Sequence, residues 1–284
     1  MLSILIVNWN TRDLLVSCLK SIYLHPPSGA FEVIVVDNAS SDGSAEAVEL
    51  TFPNVVLVKS QQNLGYAAGN NLAFERSRGE WILTLNADTE VYDSSLDVGI
   101  ERISLNPDTG ALGAMQIGLD GQVQRSVRGF PSVPGILGML TRLDNLFPLS
   151  ALGSYSLPNF DYTKEQLAPQ PMGTFLLFRR SALEAVVEFG EPFDARFPIF
   201  FNEVDLLYRL KLQGWNCIYS PAVKILHHGG ESTKLVKKNM IWESHNSLIR
   251  YMKKRNQRGV WFIAPIVKFA AFIRARGFSD GFRT

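Results

Sequence analysis

The sequence has only two cysteines, Cys18 and Cys217, among its 284 residues. They are far apart and show no Cys-x-x-Cys or Cys/His spacing, which excludes a disulfide framework and a cysteine-ligated zinc site. We therefore predict a reducing compartment, with both cysteines serving as packing residues. The chain opens on an apolar run at residues 2–7 with no basic segment before it, which does not fit a signal peptide. We expect a cytoplasmic protein.

Long apolar runs are also missing. The longest candidate, residues 260–273, has about 14 residues with Pro265 and Lys268 inside it, whereas crossing a bilayer takes roughly 20. We therefore predict that this segment lies on a membrane surface. The alternative is that it packs on the protein's own core or on a second subunit, as in a homodimer.

The chain has little net charge, because 28 Lys and Arg stand against 27 Asp and Glu. The charges are unevenly distributed: residues 1–233 carry 16 basic and 25 acidic side chains, and residues 234–284 carry 12 basic and two acidic ones. Basic residues beside an apolar, tryptophan-containing segment are typical of an interfacial anchor, so we predict an anionic membrane surface as a partner. No nucleic-acid-binding module is recognisable, and the acidic body would repel a duplex, so we expect no nucleic acid partner.

Apolar, largely β-branched runs alternate with segments of helical spacing, which predicts an α/β fold. Because the strands are continuously apolar, we predict a mostly parallel central sheet with helices on both faces. Residues 120–170 are broken by Gly, Pro and Ser, which predicts an irregular connection. The predicted strands are 2–7, 31–36, 55–58, 81–85, 111–116, 173–178, 216–219 and 223–226, and the predicted helices are 12–22, 44–52, 66–77, 95–105, 181–188, 203–213 and a basic one at about 234–255.

Polar side chains follow successive predicted strands, namely Asn8, Asp37, Asn63, Asn86 and Asp88. In open α/β sheets ligands bind beyond the carboxyl ends of the strands, so these residues mark a candidate nucleotide site. The chain has neither G-x-G-x-x-G after its first strand nor a P-loop, which excludes those two ways of holding phosphate. A carboxylate at the end of a buried strand suits Mg²⁺ or Mn²⁺, which bind through carboxylates and substrate phosphates.

Eight segments of the chain stand in a fixed order: VNWNT at 7–11, VVDNASSDGS at 35–44, NLGYAAGNN at 63–71, LNADTEV at 85–91, GTFLLFRR at 173–180, FFNEVDLLYRL at 200–210, GW at 214–215 and HHGGEST at 227–233. Together they resemble family 2 glycosyltransferases of the rhamnosyltransferase-like branch. The resemblance spans roughly residues 2–255. It implies a GT-A fold, a nucleotide-diphosphate sugar donor, a Mg²⁺ or Mn²⁺ ion, and transfer with inversion at the anomeric carbon.

The same resemblance implies roles for single residues. Asn86, Ala87 and Asp88 occupy the place of the family's D-x-D motif, with Asn in place of the first Asp, so Asp88 is the implied metal ligand. His227 matches the histidine of the family's H-x-G-G-x-S segment and is either a second metal ligand or a structural histidine. The implied donor-binding residues are Val7, Trp9, Asp37, Asn63, Gly65, Asn86 and Asp88, of which Asp37 would accept a hydrogen bond from the base or ribose.

The implied catalytic base is Glu203, with Asp205 as the alternative, because the family's Glu-Asp-x-Asp-Leu segment reads Asn-Glu-Val-Asp-Leu here. An inverting transfer needs one carboxylate to take the proton of the attacking hydroxyl. Asp205 and Arg209 are four residues apart on a predicted helix and are expected to pair. Glu203 stands near the positive end of that helix, where it is expected to stay ionised.

The resemblance and the basic C-terminus together predict an inverting glycosyltransferase at the inner face of the cell membrane. Residues 1–233 would form the GT-A catalytic domain, and residues 234–284 a helical extension. The expected reaction moves rhamnose from dTDP-rhamnose, or a hexose from a UDP-sugar, to a lipid-linked or cell-surface glycan. Two alternatives are a sugar-phosphate nucleotidyltransferase and a catalytically silent nucleotide-sugar-binding subunit.

Overall fold

A computed structural model describes residues 1–229 and 237–276 of the chain. The strands are β1 (Leu2–Asn8), β2 (Phe31–Asp37), β3 (Val56–Lys59), β4 (Trp81–Asn86), β5 (Thr89–Val91), β6 (Thr109–Ile117), β7 (Val127–Arg128), β8 (Gln166–Leu167), β9 (Gln170–Pro171), β10 (Phe175–Arg179) and β11 (Asn216–His227). The helices are α1 (Arg12–Leu24), α2 (Ser44–Thr51), α3 (Gly65–Arg76), α4 (Ser95–Ser104), α5 (Val133–Thr141), α6 (Leu143–Leu146), α7 (Arg180–Glu184), α8 (Asn202–Leu212), α9 (Lys237–Lys254) and α10 (Val260–Ala275).

The central sheet has nine strands in the order β3-β2-β1-β4-β10-β6-β11-β5, with β8 paired to β11. Strand β1 is parallel to β2 and β4, β2 is parallel to β3, and β6 is parallel to β11. Strand β10 lies antiparallel between β4 and β6. The carboxyl ends of β1, β2, β4 and β11 therefore meet at one edge of the sheet, which is the edge where β10 begins. This arrangement confirms the predicted mostly parallel α/β sheet.

Two hydrophobic clusters cover the two faces of the sheet. The first contains side chains of α1, α2 and α4, and the second contains side chains of α3, α7 and α8. Cys18 is buried in the first cluster, and Cys217 packs against the second, so both cysteines are packing residues as predicted. The layers on both faces follow from strands that are apolar on both sides.

Three predicted elements differ from the structure. The two short strands at 216–219 and 223–226 are one strand, β11, with a register shift between Ser220 and Lys224. Pro221 lies in this irregularity because proline has no N–H to donate to the sheet. The helix predicted at 181–188 ends at Glu184. The connection predicted as irregular contains α5, which Ser132 caps by accepting a hydrogen bond from the Gly135 N–H at 3.2 Å.

The described part of the C-terminal extension packs on the rest of the protein. A third hydrophobic cluster joins α5 and α8 to α9 and α10, and Val204 and Met252 are buried members of it. Residues 234–236 of the predicted basic helix lie outside the described residues, and α9 begins at Lys237. The division at residue 233 stays a prediction, and apolar contacts cross it. None of the described helices combines the length and apolar character that crossing a bilayer requires.

Candidate active site

A pocket of about 460 Å³ opens at the edge of the sheet where the parallel strands end. It brings together eight of the residues that the sequence analysis selected, from five separate segments of the chain. These are Val7, Trp9, Asn63, Gly65, Asn86, Asp88, Glu203 and His227. The loops after parallel strands meet at this edge because the strands point the same way, which explains why residues more than 200 positions apart share one cavity.

Asp88 and His227 form a pair in this pocket. Asp88 follows β4, His227 is the last residue of β11, and the Asp88 Oδ2 and His227 Nε2 atoms are 3.7 Å apart. The side chain of Gln124 orients the imidazole: its Nε2 donates to the His227 carbonyl at 3.3 Å, and its Oε1 accepts from His227 Nδ1 at 2.8 Å. The proton on Nδ1 directs the Nε2 lone pair towards Asp88, as in metal sites whose histidines are held from behind.

This pair fits a divalent cation. A carboxylate oxygen and an imidazole nitrogen converge on one point of a pocket wall, and both side chains are less than a tenth exposed. The neighbouring His228 is turned away, since its Nε2 lies 2.8 Å from Glu90 Oε1. Carboxylates suit Mg²⁺ and Mn²⁺, and imidazole accepts the softer members of that series. Asp88 and His227 are therefore the residues that would hold the ion implied by the resemblance.

A second group of acids looks like a metal site by spacing alone. Carboxylate oxygens of Glu188, Asp194 and Asp205 lie within 4.8 Å of one another. The Nζ atom of Lys254 stands among them, at 2.5 Å from Glu188, 2.8 Å from Asp194 and 2.8 Å from Asp205. An ammonium group already supplies the positive charge that these acids require, so this cluster is an ion-pair network and not a metal centre.

Asp205 belongs to that network and not to the pocket. Its carboxylate is fully buried and contacts Arg209 Nε at 2.9 Å, Lys254 Nζ at 2.8 Å and Arg255 Nη2 at 2.5 Å. The predicted pairing with Arg209 is thus confirmed, and the two C-terminal cations add to it. Asp205 is not among the described residues that line the pocket. Its three cationic partners compete with any role as the alternative base.

Glu203 lies two residues before Asp205, which places it on the other side of α8, and it lines the pocket. Its side chain packs over Gly173, where an added Cβ would stand 3.4 Å from Glu203 Cγ. Burial against this wall raises the pKa of the Glu203 carboxyl to about 7. Desolvation thus opposes the helix N-terminus, which was expected to keep Glu203 ionised. A carboxyl with a pKa near neutrality is well matched to accepting a proton.

The raised pKa gives a pH prediction. A general base must be ionised, so kcat/KM for sugar transfer is expected to fall about tenfold per pH unit below pH 7 and to level off above it. The measurement is the initial rate of nucleotide release across a pH series at saturating metal. A rate that stays constant down to about pH 5 would contradict a base with the pKa of Glu203.

Asp37 lies behind the pocket wall. Only 3% of it is exposed. Its Oδ1 accepts from Asn8 Nδ2 at 3.1 Å and its Oδ2 accepts from the Ser40 N–H at 3.0 Å. Asn8 lines the pocket, and Asp37 is not among the described lining residues. The structure therefore shows Asp37 orienting Asn8, and its predicted contact with the donor stays a prediction.

The loop that carries Asn63 and Gly65 is held by Asn38. The Asn38 side chain donates to the Gly65 carbonyl at 3.0 Å and accepts from the Leu64 N–H at 3.2 Å. Gly65 has a φ of +83°, and an added Cβ would meet the Pro198 carbonyl oxygen at 2.7 Å. Only glycine fits at this point, because the conformation and the close contact both exclude a side chain.

Several lining residues were missed by the sequence analysis. Asn239 and Met240 come from α9, in the part of the chain predicted to be an extension. Gln124 lies in the segment predicted to be irregular and contacts the imidazole from behind. The resemblance quoted the segments that hold Tyr66 and Thr174 without giving either residue a role, and both line the pocket. No local pattern marks Gln124, Asn239 or Met240, since each reaches the site through tertiary packing.

Comparison with known proteins decides the family. The profile described as Glycosyl transferase family 2 matches residues 3–187. The chain belongs to glycosyltransferase family 2. An N-acetylglucosaminyl-diphospho-decaprenol L-rhamnosyltransferase of Mycobacterium tuberculosis is 31% identical over 254 residues, covering 82% of this chain and 78% of that protein. The O-antigen biosynthesis protein RfbC of Myxococcus xanthus is 26% identical over 236 residues, covering 82% of this chain and 18% of that protein.

Solved structures show the GT-A fold of this family 2 glycosyltransferase. A Pyrobaculum calidifontis mannosyltransferase, solved with GDP-Man and Mn²⁺, matches with a TM-score of 0.61 and 18% identity, covering 96% of this chain and 69% of that one. TarS of S. aureus, residues 1–349, matches with a TM-score of 0.56 and 16% identity, covering 97% of this chain and 81% of that one. The predicted family, fold and enzyme class are confirmed, and the nucleotidyltransferase alternative is set aside.

Proposed function

We propose that this glycosyltransferase moves a rhamnosyl group from dTDP-rhamnose to a lipid-linked glycan, with inversion, at the inner face of the cell membrane. The Mycobacterium tuberculosis relative is named for rhamnosyl transfer to N-acetylglucosaminyl-diphospho-decaprenol, and its similarity extends over 82% of this chain. A UDP-hexose is the alternative donor, because the described pocket has no feature that selects one sugar nucleotide over the other.

The described lining of the pocket contains two carboxylates, Asp88 and Glu203. The observation that carries the proposal is that these two carboxylates have different surroundings. Asp88 faces His227, whereas no basic side chain in residues 1–229 and 237–276 forms an ion pair with Glu203. One acid is thus placed for a cation and the other for a proton. An inverting transfer needs a base for the acceptor proton and no covalent nucleophile. A cation beside Asp88 would offset the charge on the departing diphosphate.

The chemistry uses Glu203 at a single step. An acceptor hydroxyl oxygen attacks the anomeric carbon, the bond from that carbon to the diphosphate oxygen breaks, and its electron pair leaves with the nucleotide. Glu203 takes the proton of the attacking hydroxyl. Burial of the Glu203 side chain against Gly173 raises the pKa of the carboxyl, which makes it a stronger base than an exposed glutamate.

Asp88 and His227 would hold the Mg²⁺ or Mn²⁺ ion, with Asn86 next to them in the lining. When bound, the ion supplies positive charge that offsets the charge developing on the departing diphosphate. Val7 in β1 and Trp9 just after that strand offer an apolar and aromatic wall for the nucleoside. Asn63 and Gly65 form the adjoining edge of the same cavity, and Asp37 acts through Asn8.

The metal assignment predicts that Asp88→Asn lowers metal-dependent nucleotide binding. A neutral amide removes the charge that attracts the cation, so the affinity for dTDP in Mn²⁺ is expected to fall at least about tenfold. Titration calorimetry of dTDP with Mn²⁺ and with EDTA gives the measurement. Glu203→Gln is the control, since it leaves the Asp88 and His227 pair in place. Equal affinity of Asp88→Asn and the unaltered protein would contradict the assignment.

The proposed function is tested by a donor screen. The protein is incubated with dTDP-rhamnose or UDP-hexoses, Mg²⁺ or Mn²⁺, and a lipid-linked N-acetylglucosamine diphosphate acceptor, and release of the nucleotide is followed. Turnover with dTDP-rhamnose above the UDP-hexoses is expected. Turnover with a UDP-hexose alone would replace the donor, and nucleotide-sugar binding without any turnover would favour the silent binding subunit.

A further inference from the structure

Helix α10 has two apolar faces, of which only one is covered. Val260, Ile263, Val267, Ala271 and Ala275 are buried, and their spacing of three to four residues marks the face that packs on the protein. The opposite face carries six exposed apolar side chains, which we name the α10 outer face. Their exposed fractions are Trp261 82%, Phe262 53%, Ile266 36%, Phe269 65%, Phe272 46% and Ile273 47%.

Single exposed apolar residues are common on soluble proteins, but a continuous aromatic stripe is not. The residues of the α10 outer face lie within about 140° of one another around the helix, at roughly 100° per residue, so they form one strip along its length. Four of the six are aromatic. A strip of this size exposed to water marks a surface with a binding partner.

The charges beside the strip are all of one sign. Arg258, Lys268, Arg274 and Arg276 are exposed on or next to α10, and the sequence has no Asp or Glu between residues 244 and 279. Cationic side chains around aromatic and aliphatic ones are the composition of a helix that lies in the headgroup layer of an anionic bilayer. The charge pattern therefore indicates what covers the strip.

We propose that the α10 outer face docks on the surface of an anionic lipid bilayer. A second copy of the chain fits less well, since a two-fold contact through this face would bring two sets of arginine and lysine side chains together. Helix α10 lies along the surface and does not cross it, because its 16 residues fall short of the roughly 20 needed to span and Pro265 interrupts it.

The docking face is joined to the pocket by packing. Helix α10 packs on α9, and α9 contributes Asn239 and Met240 to the pocket lining. At the other end of α9, Lys254 bonds Asp205 of α8, the helix that carries Glu203. Docking of α10 therefore brings the pocket to the bilayer as one unit. Delivery of a lipid-linked acceptor from that bilayer rests on the proposed function, whereas the docking itself does not.

The test compares vesicle binding by two matched triple variants of the full chain. The first, Trp261→Ser/Phe269→Ser/Phe272→Ser, removes three large side chains of the α10 outer face and leaves the buried face intact. The control, Leu24→Ser/Leu50→Ser/Leu105→Ser, removes three exposed leucines on or next to other helices, which are 73%, 86% and 65% exposed. Binding is measured by co-sedimentation with vesicles of phosphatidylcholine alone or mixed with phosphatidylglycerol.

The unaltered protein and the leucine control are expected to bind the mixed vesicles at least about tenfold more tightly than the neutral ones, with binding that weakens as salt rises. The α10 variant is expected to bind the mixed vesicles at least about tenfold more weakly than the unaltered protein, with an unchanged circular dichroism spectrum. Equal binding by the α10 variant and the control would overturn the proposal. So would a dimer in sedimentation equilibrium that only the α10 variant loses, because a second copy would then cover the face.

The docking proposal and the proposed sugar transfer fail separately. The docking alone would be overturned by two results together. The α10 variant and the unaltered protein would turn over a water-soluble acceptor analogue at equal rates, and neither would bind vesicles. Vesicle binding with no turnover on any donor would overturn the function and leave the docking in place.

Discussion

Glu203→Gln is expected to abolish sugar transfer while nucleotide binding survives. The amide keeps the size of the side chain and its contact with Gly173 but cannot accept the proton of the attacking hydroxyl. General base catalysis contributes about 10² to 10⁴ in rate, so kcat is expected to fall by that range. The measurement is the steady-state rate of nucleotide release, with dTDP affinity measured on the same sample.

The same substitution is expected to stabilise the folded protein at neutral pH. Folding raises the pKa of Glu203 to about 7, so the folded state keeps a proton that the unfolded chain has already lost. Stability therefore falls as the pH rises from the ordinary glutamate pKa to about 7. Glu203→Gln removes this dependence, and its thermal midpoint above pH 7 is expected to exceed that of the unaltered protein.

This opposite movement of rate and stability distinguishes a catalytic carboxyl from a structural one. A structural glutamate would lose stability together with activity. Retained transfer by Glu203→Gln at the unaltered rate would remove Glu203 from the base position, and a lower thermal midpoint at neutral pH would contradict the desolvation that raises its pKa.

Asp205→Asn is expected to have the largest effect on stability. Asp205 is buried among Arg209, Lys254 and Arg255, and a neutral amide leaves these cations with less negative charge than they need. Removing one partner of a buried ion pair costs about 3 to 5 kcal/mol. Glu188 and Asp194 still contact Lys254, so the loss is expected near the lower end of that range. Urea denaturation gives the free energy of unfolding.

A matched acid-to-amide change serves as the control. Glu49→Gln breaks the pair with Lys59 at 2.7 Å, whose side chains are 53% and 45% exposed. Exposed pairs contribute less than about 1 kcal/mol, so this variant is expected to unfold almost like the unaltered protein. Equal losses in Asp205→Asn and Glu49→Gln would contradict the buried network.

The kinetics of Asp205→Asn also separate the two candidate bases. At a temperature where Asp205→Asn is folded, its kcat is expected to fall far less than that of Glu203→Gln. The reason is that residue 205 lies on the side of α8 that faces away from the pocket. A folded Asp205→Asn protein that has lost all transfer, beside an active Glu203→Gln protein, would assign the base to Asp205.

Much of the site was predictable from the sequence because parallel strands impose a common edge. Asn8, Asn86 and His227 each end a strand of the central sheet, and the apolar runs that precede them indicate those strands. The position of Glu203 followed from the family resemblance. The pairing of Asp205 with Arg209 followed from helical spacing alone, since a separation of four residues places two side chains on one face.

The remaining features depend on contacts between distant parts of the chain. Gln124 reaches His227 across 103 positions, and Lys254 reaches Asp205 across 49. Asp37 ends its strand as predicted, and its hydrogen bond with the Asn8 amide comes from the neighbouring strand. The raised pKa of Glu203 depends on the burial of its side chain, and helix position alone does not report that burial.

The sequence by itself determined the family, the alternation of strands and helices, the edge at which the ligands gather and the basic character of the C-terminus. Each of these is a local pattern or an ordered set of motifs. The tertiary structure decided which acid of α8 faces the pocket, which histidine faces Asp88, and which side of α10 remains exposed. Those outcomes are set by the packing of elements far apart in the chain, and burial then determines which charges are neutralised and which stay available for chemistry or for a lipid surface.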